Sequence, residues 1–450
     1  MKKVDVLVIG GSAAGLVTAL TGKAHYPEKE FLVVRKEQSV VVPCGIPYMF
    51  GSLEHSGQNV IPDTKLEKLG VDLTIGEVTA VDPEGKICQL ADGEEISYQK
   101  LVLAIGSQPV VPAWLPGQEL DQVYTVPKNK AYLDQMLNDL GEAQQIVVIG
   151  GGFIGVELSD ELHKRGAEVT VVELLPHVLG AVFDQDLAVR AEQVLLDRGI
   201  QVEAGSGVKA LTGNGRVSSV ILQNGKELEA DAVILSMGYR PNTKLAQEAG
   251  IPTNEMGFIR VDQYLRTQAP DIFAVGDCAE KRDFITNKII GIMLASTACA
   301  EARIAGLNLF HLEALRTFTG TISNFATAFG EHGFGVAGIT ESTAREEGFE
   351  ILTAAFEGVD HHPGKLAGTH RQRVKLVVAR ESGLILGGSV SGGLTTGEVV
   401  NVIGLAIQNR MTVSSLLTAQ IGTHPLLTAP PTAYPLIKAA EAAYRKMQQV

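Results

Sequence analysis

The chain has 450 residues, with 38 basic and 51 acidic side chains and a formal net charge of −13. At roughly 150 residues per domain there is room for about three domains, and a content of 45% apolar and 20% charged residues excludes disordered and fibrous architectures. An acidic surface repels phosphate backbones and anionic headgroups, so nucleic acid and membranes are excluded as partners, while a local basic pocket for a small anionic cofactor stays open.

Glycine is the outlier, with 49 residues, about 11% against an average near 7%, which points to tight turns and close backbone approach to ligands. Met1-Lys2-Lys3 followed by an apolar run copies the start of a secretory signal, but Asp5 and Gly10-Gly11 interrupt it. The same residues read better as a strand, a glycine turn and a helix start. Four cysteines, Cys44, Cys88, Cys278 and Cys299, are too few and scattered for a disulfide scaffold or a zinc knuckle, so no metal is expected and a reducing cytoplasm fits. No uncharged apolar stretch reaches the ~18 residues of a spanning helix. The nearest, Ile289 to Ala300, reads as a buried helix.

The chain repeats itself. Val6-Leu7-Val8-Ile9-Gly10-Gly11-Ser12-Ala13-Ala14-Gly15 returns 140 residues later as Ile146-Val147-Val148-Ile149-Gly150-Gly151-Gly152-Phe153-Ile154-Gly155. Leu103-Ala104-Ile105-Gly106 with Pro109 returns as Leu235-Ser236-Met237-Gly238 with Pro241, 132 residues apart. Two α/β units are therefore expected, each opening on a buried parallel strand that feeds a helix through a glycine turn. Ile272-Phe273-Ala274-Val275-Gly276-Asp277 reads as a late strand of the first unit, followed by a helix over 293–308, so the second unit is inserted into the first. From about Thr317 the pattern alternates, as in Arg373-Val374-Lys375-Leu376-Val377-Val378, and predicts an antiparallel α+β interface domain. The expected division is 1–112 with 241–316, then 113–240, then 317–450.

Gly150-x-Gly152-x-x-Gly155, after a strand and before a helix, is the dinucleotide-binding arrangement: a turn, close approach to a pyrophosphate, and helix-on-strand packing. A second apolar run ends at Glu173, about 20 residues on, where a carboxylate holds ribose hydroxyls. No arginine follows it, which favours NADH over NADPH. At the N-terminus the fingerprint is imperfect, with Ser12 at the middle position, and the second strand ends in Arg35-Lys36-Glu37. Those residues read equally well as cofactor contacts or as a solvated turn. Cys44, after Pro43 and before Gly45-Ile46-Pro47-Tyr48, is placed at a short helix start, where amides favour the reactive thiolate and a lowered pKa is expected.

Together these residues resemble the FAD-dependent pyridine nucleotide–disulfide oxidoreductases, and within them the single-cysteine branch of coenzyme A-disulfide reductases, NADH oxidases and peroxidases, and polysulfide or persulfide reductases. The resemblance spans the chain. It implies two Rossmann-like domains and a C-terminal dimerisation domain, a homodimer, and FAD with NADH, or NADPH, as cofactors. It further implies cofactor contacts at Gly10, Gly11, Ser12, Ala13, Ala14, Gly15, Arg35, Lys36, Ala104, Gly106, Gly276 and Asp277, and at Gly150, Gly152, Phe153, Ile154, Gly155, Glu157, Glu173 and Gly238. Phe153 matches an aromatic over the nicotinamide pocket and is equally read as core; Glu157 matches a carboxylate near the nicotinamide.

The implied reaction passes hydride from NADH to FAD and electrons through Cys44 to a disulfide, persulfide or polysulfide. No second cysteine lies near Cys44 in sequence, which excludes an intramolecular redox disulfide at this loop. Where coenzyme A-disulfide reductases use tyrosines, this chain has Asp360-His361-His362-Pro363 and Leu427-Thr428-Ala429-Pro430-Pro431. Gly422-Thr423-His424-Pro425 resembles the His-Pro segment of lipoamide-dehydrogenase-type members, which makes His424 the acid/base across a dimer interface, with His361 and His362 as second candidates. Two other acceptors stay open: O2 or H2O2, with Cys44 as a sulfenic acid, and a protein taking electrons directly from the flavin.

Overall fold

A computed structural model describes residues 1–312 and 317–449. The first sheet runs parallel in the spatial order Asp72–Ile75, Phe31–Arg35, Lys2–Ile9, Glu95–Leu103, Ile272–Ala274. Val6, Leu7, Val8, Leu32, Val33, Leu101 and Val102 are fully buried. Such continuous apolar runs suit strands covered on both faces, and each buried aliphatic side chain contributes about 1.5–3 kcal/mol. The N-terminal half of Glu95–Leu103 also pairs antiparallel with Ile87–Leu90, which continues to Val78–Asp82.

The second sheet repeats the order: Gln201–Ala204, Glu168–Glu173, Gln145–Ile149, Ala232–Leu235, Val123–Thr125. Its fifth strand, Val123–Thr125, precedes the unit's glycine turn in the chain, whereas the equivalent strand of the first unit, Ile272–Ala274, follows the whole second unit. The second unit is thus inserted as expected. Where the chain crosses, Ser107–Pro109 and Tyr239–Pro241 pair antiparallel. This pairing spans the boundary expected at residue 240, and the one expected at residue 316 lies outside the described residues.

The third unit is an antiparallel sheet in the order Phe325–Phe329, His332–Gly338, Ile385–Gly392, Arg371–Ala379, Ile351–Val359. Helices Thr396–Gln408 and Pro435–Met447 pack on it through Val399, Val400, Ile403, Ile407, Leu436 and Ala440. One sequence expectation is corrected. Ile289 to Ala300 is not one buried helix: Ile289–Ile290 is a short, partly exposed strand, and the helix runs Ala295–Leu307. Among the described residues no helix is long and apolar enough to cross a membrane.

Candidate functional site

The two glycine turns superimpose in chemistry. Gly10 and Gly150 are left-handed, at φ +109 and +108, and a Cβ on either would overlap the carbonyl of Ala104 or Ser236. A Cβ on Gly15 or Gly155 would overlap the carbonyl oxygen of Gly10 or Gly150. These four glycines let helix and strand meet. Helices Ala13–His25 and Phe153–Lys164 then begin at Ser12 and Gly152, both extended and neither supplying a side-chain cap. First-turn amides at such ends attract anions, and nothing lies within 4 Å of where a Cβ at Gly152 would stand. Both turns fit a pyrophosphate.

Glu173 supports the second turn, accepting from the Gly151 and Leu175 amides at 2.7 Å each. Its counterpart in the first unit, Arg35, is buried and committed elsewhere. Its guanidinium forks onto Asp63 at 2.6 and 2.8 Å and donates to the Glu37 and Gln38 carbonyls, while its stem walls Gly11, whose Cβ would stand 2.5 Å from Cδ. Lys36 is exposed, with Glu77 4.0 Å away. Gly106 and Gly238 are left-handed and open.

The Cys44 loop is pinned by apolar and polar contacts to the second unit. Ile46, Met49 and Phe50 are buried with Leu158 and Leu162 of helix Phe153–Lys164, and Ile154 packs against them. Buried Glu161 accepts from the Ser52 amide and hydroxyl at 2.5 and 3.0 Å. Asn59 ties the other side, donating to the Val42 carbonyl at 3.1 Å. Cys44 itself is exposed on a three-residue 3-10 turn, Pro43–Gly45.

Contrary to the sequence expectation, the Cys44 thiol is pushed up rather than down. Desolvation by the loop is the largest cause, Glu157 the next, and Lys128 only partly opposes them; Asp277 and Cys299 add smaller upward pushes. A single 3-10 turn whose first residue is proline, without an N–H, has too few aligned amides to act as a helix N-terminus. Glu157 is pushed up to about 7 by burial, although the Thr327 hydroxyl donates to it at 2.7 Å. That bond joins the second unit to the third. Phe153 does the same, stacked on Phe325 at 5.1 Å and edge-on to Phe183 at 5.8 Å.

Asp277 accepts from Lys128 at 2.6 Å and from the Ser107 hydroxyl at 2.8 Å. Burial opposes its ionisation, but Lys128, Ser107 and Lys281 outweigh burial and hold its carboxyl below the ordinary range. Lys128 therefore faces both Asp277 and Cys44. Sequence reasoning missed Lys128, Ser107 and Thr327, which no motif marks, and Cys299, which only the fold brings near Cys44. Cys88 and Cys278 are buried, the latter bonded through Sγ to the Leu103 carbonyl.

His424 lies on an exposed loop of the third unit, with Leu426 and Leu427 58% and 66% exposed. Its Nδ1 accepts from the Leu426 amide at 3.2 Å, which leaves the proton of the neutral ring on Nε2. The His361-His362 loop packs beside it: the His362 amide donates to the Pro425 carbonyl at 3.1 Å and its ring nitrogen meets the Thr428 carbonyl at 3.1 Å. His361 is oriented by buried Asp360 at 2.8 Å. The structure thus gathers the three candidate histidines into one patch, with His424 exposed and His361 and His362 half-buried.

The model of the pyridine nucleotide-disulphide oxidoreductase family matches residues 4–302, and that of its dimerisation domain residues 325–434. The chain is 30% identical over 426 residues to an NADH oxidase of Methanocaldococcus jannaschii, covering 91% of this chain and 92% of the relative. It is 31% identical over 400 residues to an NAD(P)H coenzyme A polysulfide/persulfide reductase of Pyrococcus horikoshii, covering 87% and 88%. Among solved structures, the NAD-dependent persulfide reductase from A. fulgidus superimposes with a TM-score of 0.91 at 28% identity, covering 99% of this chain and 84% of the other.

Proposed function

We propose that this chain, which belongs to the pyridine nucleotide-disulphide oxidoreductase family, is a homodimeric enzyme that spends NAD(P)H on reducing a disulfide, persulfide or polysulfide through Cys44. The observation that carries the reading is an exposed thiol on a loop packed against the helix that follows the second glycine turn, with Glu157, Lys128 and Asp277 acting on its charge. The persulfide reductases among its relatives support the acceptor class. The match to a dimerisation domain, and the exposed Leu394, Leu405, Leu426 and Leu427 on that domain, support the dimer. We also keep the division into 1–112 with 241–316, 113–240 and 317–450, which the paired crossing strands support.

For a disulfide, NADH and one proton yield NAD+ and two thiols. FAD, when bound, supplies the two-electron carrier between nicotinamide and thiol. The residues do the rest. The turn at Gly150–Gly155 holds the NAD(P)H pyrophosphate and Glu173 its ribose; the turn at Gly10–Gly15 and Asp277 hold the flavin. The Cys44 thiolate attacks one sulfur of the acceptor, forming a mixed disulfide and expelling a thiolate. His424 of the partner subunit, as the imidazolium, protonates that thiolate from Nε2, a charge state that requires its Nδ1 to give up the Leu426 amide.

The oxidase reading, favoured by the likeness to the M. jannaschii NADH oxidase, has O2 or H2O2 as acceptor. An anaerobic NADH-oxidation panel separates the two, comparing coenzyme A disulfide, its persulfide, polysulfide, O2 and peroxide in wild type and Cys44→Ser. Turnover on a sulfur compound without oxygen, lost in Cys44→Ser, is the expected result. Equal activity of the two proteins on every acceptor would end the thiol relay.

A further inference from the structure

Behind Asp277 lies an ion pair with no solvent exposure at either member. Lys281 Nζ stands 3.5 Å from Glu301 Oε1. Both side chains converge on one residue, Gly276: its N–H donates to Glu301 Oε2 at 2.8 Å, and its carbonyl accepts from Lys281 Nζ at 2.6 Å. Lys281 also donates to the Ala279 carbonyl at 3.0 Å, while Glu301 Oε1 has no hydrogen-bond partner. Burying two charges costs several kcal/mol each, which their attraction repays only with good geometry and full hydrogen bonding, and an orphan carboxylate oxygen adds to that cost. A pair kept for stability alone is poorly explained by this arrangement.

Gly276 explains it better. It is left-handed, at φ +77, and its Cα faces Ala14 of the first glycine turn, whose Cβ lies 2.8 Å from where a Cβ on Gly276 would stand. Glu301 comes from helix Ala295–Leu307, which packs on helix Ala13–His25. Fixing both polar groups of Gly276 therefore fixes Asp277 relative to the pyrophosphate turn.

We infer that Lys281 and Glu301 are positioning residues, a buried clamp on Gly276 that sets where Asp277 meets the flavin and that places a balanced pair of charges behind it. The inference rests on the reading of Asp277 as a flavin contact. It is tested on deflavinated and reconstituted full-length protein with Lys281→Met plus Glu301→Met, Glu301→Gln alone, and Asp277→Asn. The readouts are the FAD dissociation constant by fluorescence and the flavin midpoint potential by dye equilibration.

The double variant replaces the pair by apolar groups and is expected to fold, yet to bind FAD at least tenfold more weakly because Gly276 is unclamped. Glu301→Gln, which leaves the Lys281 charge uncompensated, is expected to shift the midpoint potential positive, and the double variant to return it toward wild type. A double variant that binds FAD as wild type, or one that no longer folds, assigns the pair to the core alone and overturns the proposal. An Asp277→Asn variant with unchanged FAD affinity overturns the underlying reading instead.

Discussion

Replacing Gly152 by alanine separates the nucleotide cradle from the fold beneath it. Gly152 has φ −76 and ψ −175, a backbone that alanine adopts freely, and no atom lies within 4 Å of its prospective Cβ. Two small effects oppose each other. Alanine is a poorer N-cap than glycine by about 1 kcal/mol, and the stiffer unfolded chain offsets about 0.4–1 kcal/mol of that. Net destabilisation is therefore below about 1 kcal/mol. The same methyl stands where the backbone must approach a pyrophosphate, so the KM for NADH rises about tenfold or more, equivalent to at least about 1.4 kcal/mol, with kcat little changed because uniform binding is lost.

Gly155→Ala does the reverse. Its Cβ would lie 3.1 Å from the Gly150 carbonyl carbon, with the carbonyl oxygen nearer still, and a backbone atom of the same turn cannot yield. Helix and strand must separate, at about 1–3 kcal/mol or more. Steady-state kinetics with NADH varied against a dye acceptor, beside urea denaturation, read both quantities. A Gly152→Ala protein with wild-type KM, or with the stability loss of Gly155→Ala, would refute the assignment of this turn to the nicotinamide nucleotide.

Glu157 is pushed up from 4.5 to about 7, so the folded chain binds this proton more tightly than the unfolded one. Its stabilising contribution is complete below pH ~4.5 and is lost as pH rises through about 7, by up to about 3 kcal/mol; urea midpoints across that window should decline less steeply in Glu157→Gln. The same variant removes the second-largest upward push on Cys44, so iodoacetamide alkylation should show the thiol ionising at lower pH than in wild type; an unmoved profile would remove Glu157 from the site. His424→Gln should slow sulfur reduction by about 100-fold or more while leaving dye reduction by NADH intact. Mixing and re-associating His424→Gln with Cys44→Ser protomers should restore sulfur turnover, and failure to do so would place His424 away from the partner's thiol.

Much of the fold is legible because both units state it twice. Gly10 with Gly15 and Gly150 with Gly155 are demanded by carbonyls that leave no room for a Cβ, and such positions write themselves into sequence. Strand Val123–Thr125 escaped notice because three residues carry no periodicity, and its pairing with Ala232–Leu235 is decided more than a hundred residues later. Arg35 shows a different limit. Its place at a strand end suggested a cofactor contact, but its partner, Asp63, lies in another segment, and no local pattern announces a forked ion pair. The polar partners of Asp277 and Glu157, namely Lys128, Ser107 and Thr327, are likewise supplied by distant segments.

The disagreement over Cys44 bears on how the site would work. A helix-start thiolate would be reactive at all times, open to peroxide and to any disulfide that diffused in. Here desolvation and Glu157 favour the protonated thiol, and Lys128, the one cation acting in the other direction, is shared with Asp277. The balance is therefore adjustable from two sides. Protonating Glu157, whose pKa lies near neutrality, removes an opposing charge, and any ligand that draws Asp277 away from Lys128 leaves more of that cation for the sulfur. Either change raises the thiolate fraction without moving the loop, which Phe50, Met49 and Glu161 hold in place. On the proposed thiol relay, a packed loop together with a switchable charge environment would confine Cys44 to moments when the neighbouring groups are engaged, as a thiol that must meet a chosen acceptor and otherwise stay reduced requires.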